Sequence, residues 1–526
     1  MLKKVITCLL VVCMVLGCFT GCGKKETDSE ADVKTFSYWM EMPALSATSV
    51  SNVGEISMYK EMEKLTGIKV RFVHPPAGQG AEKFNLMMAS KEFYDVIEYN
   101  WDKYQGGASK ALSDGVAYKL NDIMEKSAPN FTKLLNDNPD IAKAASTMDG
   151  SYYGFMKIQE SAGNMYQGLI IRKDWLDDLG MEAPETIDEW ETMLTRFKNE
   201  KGAVAPLTLM AGYFITASEC PHFTTAYGIG EGFYVDDNGK VQFGPSQDVY
   251  KEYLTTLNRW YKNGLLDPEF ATINGSASQA RVLDGQSGAF YGTIGGTIGT
   301  YLDAWKARGE TDIELIGVPQ PMLKKGDLPE FNSPVKQVGP PHAVITSQAK
   351  NPEMIASWFD YFYTGQGARL NSLGVEGETY TMNGDVPVYT DIISNNPDGL
   401  SVYEALAQHA RPQGGSPALL FEEPEEWLVQ DYPYESQRQA LLTWSESVER
   451  SLKHQLPNLE YSLEESDELS ALKLDITSYT EEMIMLFIQG EQPLDKFAEY
   501  QENLKNLKLD RLLEIMQKAY DTYMSK

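Results

Sequence analysis

The segment from Val33 to Glu98 constrains the fold most. Val33 to Trp39 reads as a strand, and Ile56, Tyr59, Met62 and Leu65 then recur at helical spacing up to Gly67. Ile68 to Phe72 alternates as a second strand ended by His74-Pro75-Pro76, and Phe84, Met87 and Met88 mark a second helix. Tyr94 to Glu98 is the third strand. Strand–helix–strand–helix–strand with crossovers of this length requires a parallel sheet joined by right-handed connections. The fold class is therefore α/β. A chain of 526 residues exceeds one compact core and divides into two or three domains.

Further elements follow downstream. Thr186-Ile187-Asp188-Glu189 is a capping box, with Trp190, Met193, Leu194 and Phe197 on one helix face behind it. Tyr250, Tyr253, Leu254, Leu257 and Trp260 form another stripe, stopped by Gly264. Asn351-Pro352 opens a helix carrying Ile355, Trp358, Phe359 and Phe362. Trp190, Trp260 and Trp358 occupy stripe positions and are read as core. Residues 391–433 are punctuated by prolines and glycines and read as largely irregular. The tail from Leu472 to Met524 is helical, broken at Gly490-Glu491-Gln492-Pro493.

The third strand runs into Tyr99-Asn100-Trp101-Asp102-Lys103-Tyr104 and then Gly106-Gly107. Ligands of open α/β sheets sit beyond the carboxyl ends of strands. Rings beside fixed polar groups can grip a molecule with apolar faces and hydroxyl edges. This stretch is either one wall of a sugar-binding cleft or a surface loop with two rings folded into the core.

The formal net charge of −29 argues against nucleic acid and anionic membrane as partners. Met1-Leu2-Lys3-Lys4 precedes an apolar run, Val5 to Leu16, too short to span a bilayer and suited to a signal peptide. It leads into Leu16-Gly17-Cys18-Phe19-Thr20-Gly21-Cys22, which resembles a bacterial lipobox, followed by the polar tether Gly23 to Glu30. Cys22 is the expected lipidated residue and Cys18 the competitor. A mature chain beginning at Cys22 retains only Cys220 besides it, so no disulfide or cysteine metal cluster can form within that chain. His74, His222, His342, His409 and His454 show no metal spacing, and no phosphate-cradle or nucleophile-elbow motif occurs, so no cofactor is expected.

An ordered set of segments resembles a known family. Tyr59 to Val70, Tyr94-Asp95-Val96-Ile97, Tyr152 to Met156, Ile170-Ile171-Arg172-Lys173-Asp174-Trp175-Leu176, Ala183 to Trp190 and Gly374-Val375-Glu376-Gly377 are similar to segments of extracellular solute-binding proteins of bacterial ABC transporters. The likeness is to the maltose-binding-protein class and its LipO-like lipoprotein branch. It implies a type 2 periplasmic-binding-protein-like fold, two α/β lobes hinged about an inter-lobe cleft. The implied first lobe is residues 33–157 plus 338–373, and the second 158–337 plus 374–526. The lobe crossings are implied near Phe155–Gln159 and Val338–Ala343.

The resemblance also implies a function: capture of a carbohydrate, in particular an oligosaccharide, and its delivery to permease subunits by a monomeric receptor, lipid-anchored outside the cell and without catalysis. Its first-lobe ligand loops map to Trp39 and Glu41 and to Tyr99, Trp101, Asp102 and Lys103, with Glu160 just past the first crossing. In the second lobe Tyr291 precedes a glycine-rich turn where the class carries a tryptophan. Gly295 and Gly296 stand there instead, so Trp427 and Trp444 are expected to replace that ring, with Arg411 contributing polar contact. Some relatives hold calcium after the Trp190-type helix. Here Lys198 to Pro206 lacks the acidic ligands, and Asp236-Asp237-Asn238-Gly239 reads as a hairpin turn. Two other readings remain open. One is a binding protein for peptides or for a sensor kinase. The other is a secreted glycosidase or lyase using facing carboxylates such as Asp102, Glu160 and Glu376.

Overall fold

The computed structural model describes residues 34–159, 165–210, 223–332, 334–411, 415–422 and 427–525. Strands β1 (Lys34–Trp39), β2 (Ile68–Val73), β3 (Val96–Tyr99) and β4 (Phe155–Ile158) belong to the first lobe. The second lobe holds β5 (Gln167–Arg172), β6 (Leu207–Thr208), β7 (Phe233–Val235), β8 (Val241–Phe243), β9 (Ala289–Thr293) and β10 (Leu315–Val318). The chain then returns to the first lobe as β11 (Val338–Ile345).

The first sheet has the order β2-β1-β3-β11-β4. As the alternation requires, β1 is parallel to both β2 and β3. The intervening helices are Ser57–Thr66, stopped by Gly67 at φ +66°, and Gly80–Ser90. β11 runs antiparallel between β3 and β4, and its register slips between Gly339 and His342. Pro340 and Pro341 occupy that gap and have no amide hydrogen to give the ladder.

The second sheet, β10-β5-β9-β6, carries the predicted helices on its faces. Thr186 and Glu189 form the reciprocal capping box of helix Ile187–Glu200. Trp190 and Trp260 are fully buried in this lobe, and Trp358 is 1% exposed in the other. β7 and β8 pair as a hairpin. Asp236 closes its turn by accepting from the amides of Asn238 and Lys240, at 2.8 and 3.0 Å. The tail helices Leu463–Gln489, Phe497–Asn506 and Leu509–Ser525 join this core, with Asn258 donating to the Phe487 and Ile488 carbonyls. No described helix is long and apolar enough to cross a membrane.

The lobes connect through adjacent extended segments. The Gln159 amide donates to the Gln337 carbonyl at 2.9 Å, so the chain just after β4 lies beside the chain just before β11. A further segment runs beside them: Ile158 N donates to Ala418 O at 2.9 Å, and Leu420 N donates to Ile158 O at 2.7 Å. This segment lies within the stretch read as irregular.

The expected lobe boundary after residue 373 is corrected. The hairpin β12 (Tyr380–Asn383) and β13 (Val386–Tyr389) gathers Leu373, Ile393, Leu406 and Trp427 into a small separate core. That unit docks on the first lobe. Met58 N donates to His409 O at 2.9 Å, Ser46 Oγ donates to Ala407 O at 3.0 Å, and Arg411 grips Glu98. Helix Glu435–Ser445, by contrast, packs on the second sheet through Ala440 and Trp444.

Candidate functional site

The loop after β3 is built in two layers. Tyr99 stacks on Phe84 with ring centroids 4.2 Å apart, and Trp101 meets the same ring edge-on at 5.4 Å. Trp101 has no exposed surface, and its indole nitrogen donates back to the Ile97 carbonyl at 3.3 Å. These rings wedge the loop against helix Gly80–Ser90 and hold up an outer layer. In that layer Lys103 is exposed, and Tyr104 tilts against Trp101 at 5.8 Å. The Tyr104 hydroxyl donates to Asp114 at 2.8 Å, and burial together with Asp114 keeps it un-ionised well past its usual range. Gly106 and Gly107, at φ +89° and +69°, turn the chain into helix Gly107–Ser113.

The outer layer is one wall of a cavity of about 1050 Å³ between the lobes. Lys103, Tyr104, Gln105 and Tyr153 contribute from the first lobe. Across from them stand Glu231, Tyr234, Phe331, Lys336, His454 and Tyr461. The second-lobe wall is held rigidly. Tyr234 accepts from Gln247 at 2.6 Å, His454 Nδ1 bonds the Val235 carbonyl at 2.8 Å, and the rings of Phe331 and His454 lie 4.5 Å apart. Asn458 donates to Val338 O at 3.1 Å, tying the wall to the hinge strand. Polar contacts bridge the lobes around the cavity. Gln105 Nε2 donates to Asp467 Oδ1 and Ser109 Oγ to Glu460 Oε2, both at 2.9 Å. The Lys143 ammonium lies 4.2 Å from the Tyr523 ring centre. Among the described residues no group of three or more His, Cys, Asp or Glu side chains is arranged to hold a metal.

Of the residues expected at the ligand, Lys103 lines this cavity. Cys22 and Glu160 lie outside the described residues, as does the Asp102 side chain. Glu41 is exposed at the end of β1 and lies over Gly80, at the start of helix Gly80–Ser90, where a Cβ would collide with its carboxylate. Its charge adds to burial in raising the Tyr99 hydroxyl. Tyr291 is half-buried on β9, packed against the second-lobe core.

The remaining expectations are corrected by burial. Trp39, 3% exposed, sits near Phe84 and Tyr99, and Trp101 lies beneath the loop rather than on it. Trp427 packs against Tyr389 and Phe421 at 5.3 and 5.6 Å. Trp444 lies over Gly168 and Gly317 and donates to the Val318 carbonyl at 3.1 Å. These four indoles present almost no surface to a ligand here. Arg411 is 5% exposed and spends its guanidinium inside the first lobe. Nη1 reaches Glu98 Oε2 at 2.9 Å, Nη2 reaches Glu98 Oε1 at 2.7 Å, and the Gly415 carbonyl accepts as well. The second-lobe wall of Glu231, Tyr234 and His454 was missed. Its one sequence signal is a glutamate between two glycines, Gly230-Glu231-Gly232, directly before a strand.

Comparison with known proteins agrees with this architecture. The family described as "Bacterial extracellular solute-binding protein" matches residues 55–368. The fructooligosaccharide ABC transporter substrate-binding protein FusA of Streptococcus pneumoniae is 24% identical across 97% of this chain and 96% of its own length. Lipoprotein LipO of Bacillus subtilis is 25% identical across 74% of this chain and 76% of its own. Among solved structures, alginate-binding protein AlgQ2 superposes with a TM-score of 0.74 at 22% identity, covering 93% of this chain and 98% of that one. FusA in complex with kestose gives 0.72 at 21%, covering 94% and 100%. The solved neighbours share the fold over nearly the whole chain, and the family model spans more than half of it: the chain belongs to the bacterial extracellular solute-binding protein family.

Proposed function

We propose that this protein captures an oligosaccharide in the inter-lobe cavity and delivers it to the permease of an ABC transporter. The observation that carries the reading is the cavity itself: about 1050 Å³, with rings of Tyr104, Tyr153, Phe233 and Tyr234 interleaved with Lys103, Gln105, Lys336 and Gln455. Its volume slightly exceeds the range of roughly 300–1,000 Å³ for small-ligand pockets, which favours more than one sugar unit. Pyranose and furanose C–H faces pack on rings, and hydroxyls pair with the amides and the ammonium groups. A polar group left unpaired by the wrong epimer costs on the order of 1–3 kcal/mol, which is the source of selectivity. The names of relatives support the same class: FusA is a fructooligosaccharide receptor, and YtcQ of Bacillus subtilis is a polygalacturonan/rhamnogalacturonan-binding protein.

Binding proceeds without turnover. A ligand that contacts both lobes stabilises the closed arrangement, and bending at the 158–159, 337–338 and 418–420 segments is the signal the permease reads. A diacylglycerol on Cys22 supplies two acyl chains, enough for stable anchoring of a monomer on the outer face of the membrane. Calorimetric titration with fructo-oligosaccharides, galacturonan fragments and mixed peptides tests the reading. Saccharide binding that Lys103→Ala weakens supports it. A response to peptides alone, or release of shorter sugars during incubation, refutes it.

A further inference from the structure

The chain contains four Asn-Gly pairs, beginning at Asn238, Asn263, Asn274 and Asn383. Asparagine is chemically labile, and most so before glycine. The glycine nitrogen can attack the asparagine side-chain carbonyl carbon, because no Cβ obstructs the approach. All four asparagines are exposed, so solvent access does not separate them. What separates them is whether the attacking nitrogen and the attacked carboxamide are already engaged.

At three of the pairs one of them is. Gly239 N donates to Asp236 O at 2.9 Å inside the β7–β8 turn, and Gly264 N donates to Tyr261 O at 2.9 Å where helix Tyr250–Lys262 ends. A nitrogen that gives its proton to a carbonyl points away from the neighbouring side chain and must break that bond to attack. Asn274 caps helix Gly275–Leu283, its Oδ1 accepting from Ala277 N at 2.9 Å. Swinging that carboxamide onto the Gly275 nitrogen breaks the cap. Asn383 has none of these restraints. The β12–β13 ladder ends at the pair Asn383–Val386, so Gly384 and Asp385 form a two-residue loop. The closing bonds of such a hairpin come from the flanking residues, and the amide of the first loop residue faces solvent. Gly384 takes φ +63°, and nothing lies within 4 Å of where its Cβ would stand. Among the described residues no hydrogen bond holds the Asn383 carboxamide.

We infer that Asn383 is the site at which the folded protein deamidates. The Gly384 nitrogen bonds to Asn383 Cγ, the Cγ–Nδ2 bond breaks, and ammonia leaves with the proton that the Gly384 nitrogen gave up. Water then opens the resulting succinimide at either carbonyl, giving aspartate or isoaspartate. The sum is carboxamide plus water to carboxylic acid plus ammonia, with nothing oxidised or reduced. Either product adds a negative charge at the hairpin tip. Isoaspartate also moves a methylene into the backbone at the last rung of the ladder, where the Asn383–Val386 pairing closes the hairpin. The step is independent of what the inter-lobe cavity binds.

Incubation of the full chain in mildly alkaline buffer made with heavy-oxygen water, followed by peptide mapping in a mass spectrometer, tests it. Heavy oxygen marks conversions that occur during the incubation and not during digestion. The peptide carrying Asn383 is expected to convert several-fold faster than those carrying Asn238, Asn263 and Asn274, and to yield both aspartate and isoaspartate. The same incubation in urea should bring the four sites to similar rates, because unfolding frees the other nitrogens and the Asn274 cap. Asn383→Gln, an exposed change that lengthens the ring to be closed, should remove the fast conversion and leave the other three rates as they were. Conversion at Asn383 no faster than at the other sites in the folded chain overturns the proposal. So does a preference for Asn383 that persists unchanged in urea, since the local sequence and not the fold would then set it.

Discussion

Replacing Arg411 by alanine is expected to unfold the first lobe at lower temperature rather than merely weaken binding. Arg411 and Glu98 are 5% and 6% exposed and joined by two hydrogen bonds of 2.9 and 2.7 Å. Burial works against the guanidinium charge, but Glu98 outweighs it, with the tyrosines Tyr59 and Tyr38 assisting, so Arg411 stays protonated. Without Arg411, Glu98 keeps only the Tyr38 hydroxyl, 2.6 Å away, and becomes a buried charge without a counter-ion. Breaking such a pair from one side costs about 3–5 kcal/mol. The small unit around hairpin β12–β13 also loses its anchor, because the Arg411 side chain reaches β3 while its amide bonds the Asn371 carbonyl. For a domain of ~150–250 residues each kcal/mol moves the midpoint by about 2–4 °C, so the first-lobe transition falls by roughly 6–20 °C. Scanning calorimetry measures it, and Arg411→Met combined with Glu98→Leu should recover most of the loss, since a matched apolar pair leaves no orphan charge. An Arg411→Ala midpoint within a degree or so of wild type would refute the reasoning. So would a double variant as unstable as the single one.

Three other outcomes follow from the packing. Burial raises the Glu231 carboxyl well above its usual range, only partly opposed by the Tyr250 hydroxyl that donates to it at 3.4 Å. The folded state thus holds a proton that the unfolded state releases near pH ~4.3, so stability declines as pH rises from there toward the folded pKa. Glu231→Gln should flatten that decline in urea unfolding compared at about pH 5 and about pH 8, and parallel profiles for the two proteins would count against it. Gly168→Ala places a Cβ 2.5 Å from the Trp444 ring, and a Cβ on Gly317 would come within 3.0 Å of the same ring. Overpacking of this kind costs about 1–3 kcal/mol, read as a lower unfolding midpoint, and an unchanged midpoint would mean that the ring has room. Glu460→Ala with Asp467→Ala removes the hydrogen bonds from Ser109 and Gln105 across the lobes. Solution X-ray scattering of the ligand-free protein should then show a larger radius of gyration, and an unaltered curve would show that other contacts hold the lobes together.

What the sequence by itself determined is the part governed by neighbours along the chain. The parallel placement of β1, β2 and β3 follows from alternating strand and helix patterns and the handedness of crossovers. The Thr186–Glu189 cap, the hairpin at Asp236–Gly239 and the burial of Trp190, Trp260 and Trp358 follow from spacings of a few residues. Where the chain repeats such periods, local geometry decides the face, and the face decides burial.

Only the tertiary structure decided which polar and aromatic groups meet the cavity. Trp101 and Lys103 stand two residues apart in one loop, and Phe84, brought from a preceding helix, buries the first and leaves the second at the wall. Trp444 is flattened onto the sheet because Gly168 and Gly317, far away in sequence, leave it space. Arg411 looked like a ligand contact until its partner, 313 positions away, consumed its donors. The sequence pattern of a ring or a charge is the same in a core and in a cleft. The difference lies in what long-range packing places on its other side, and that is a property of the folded chain alone.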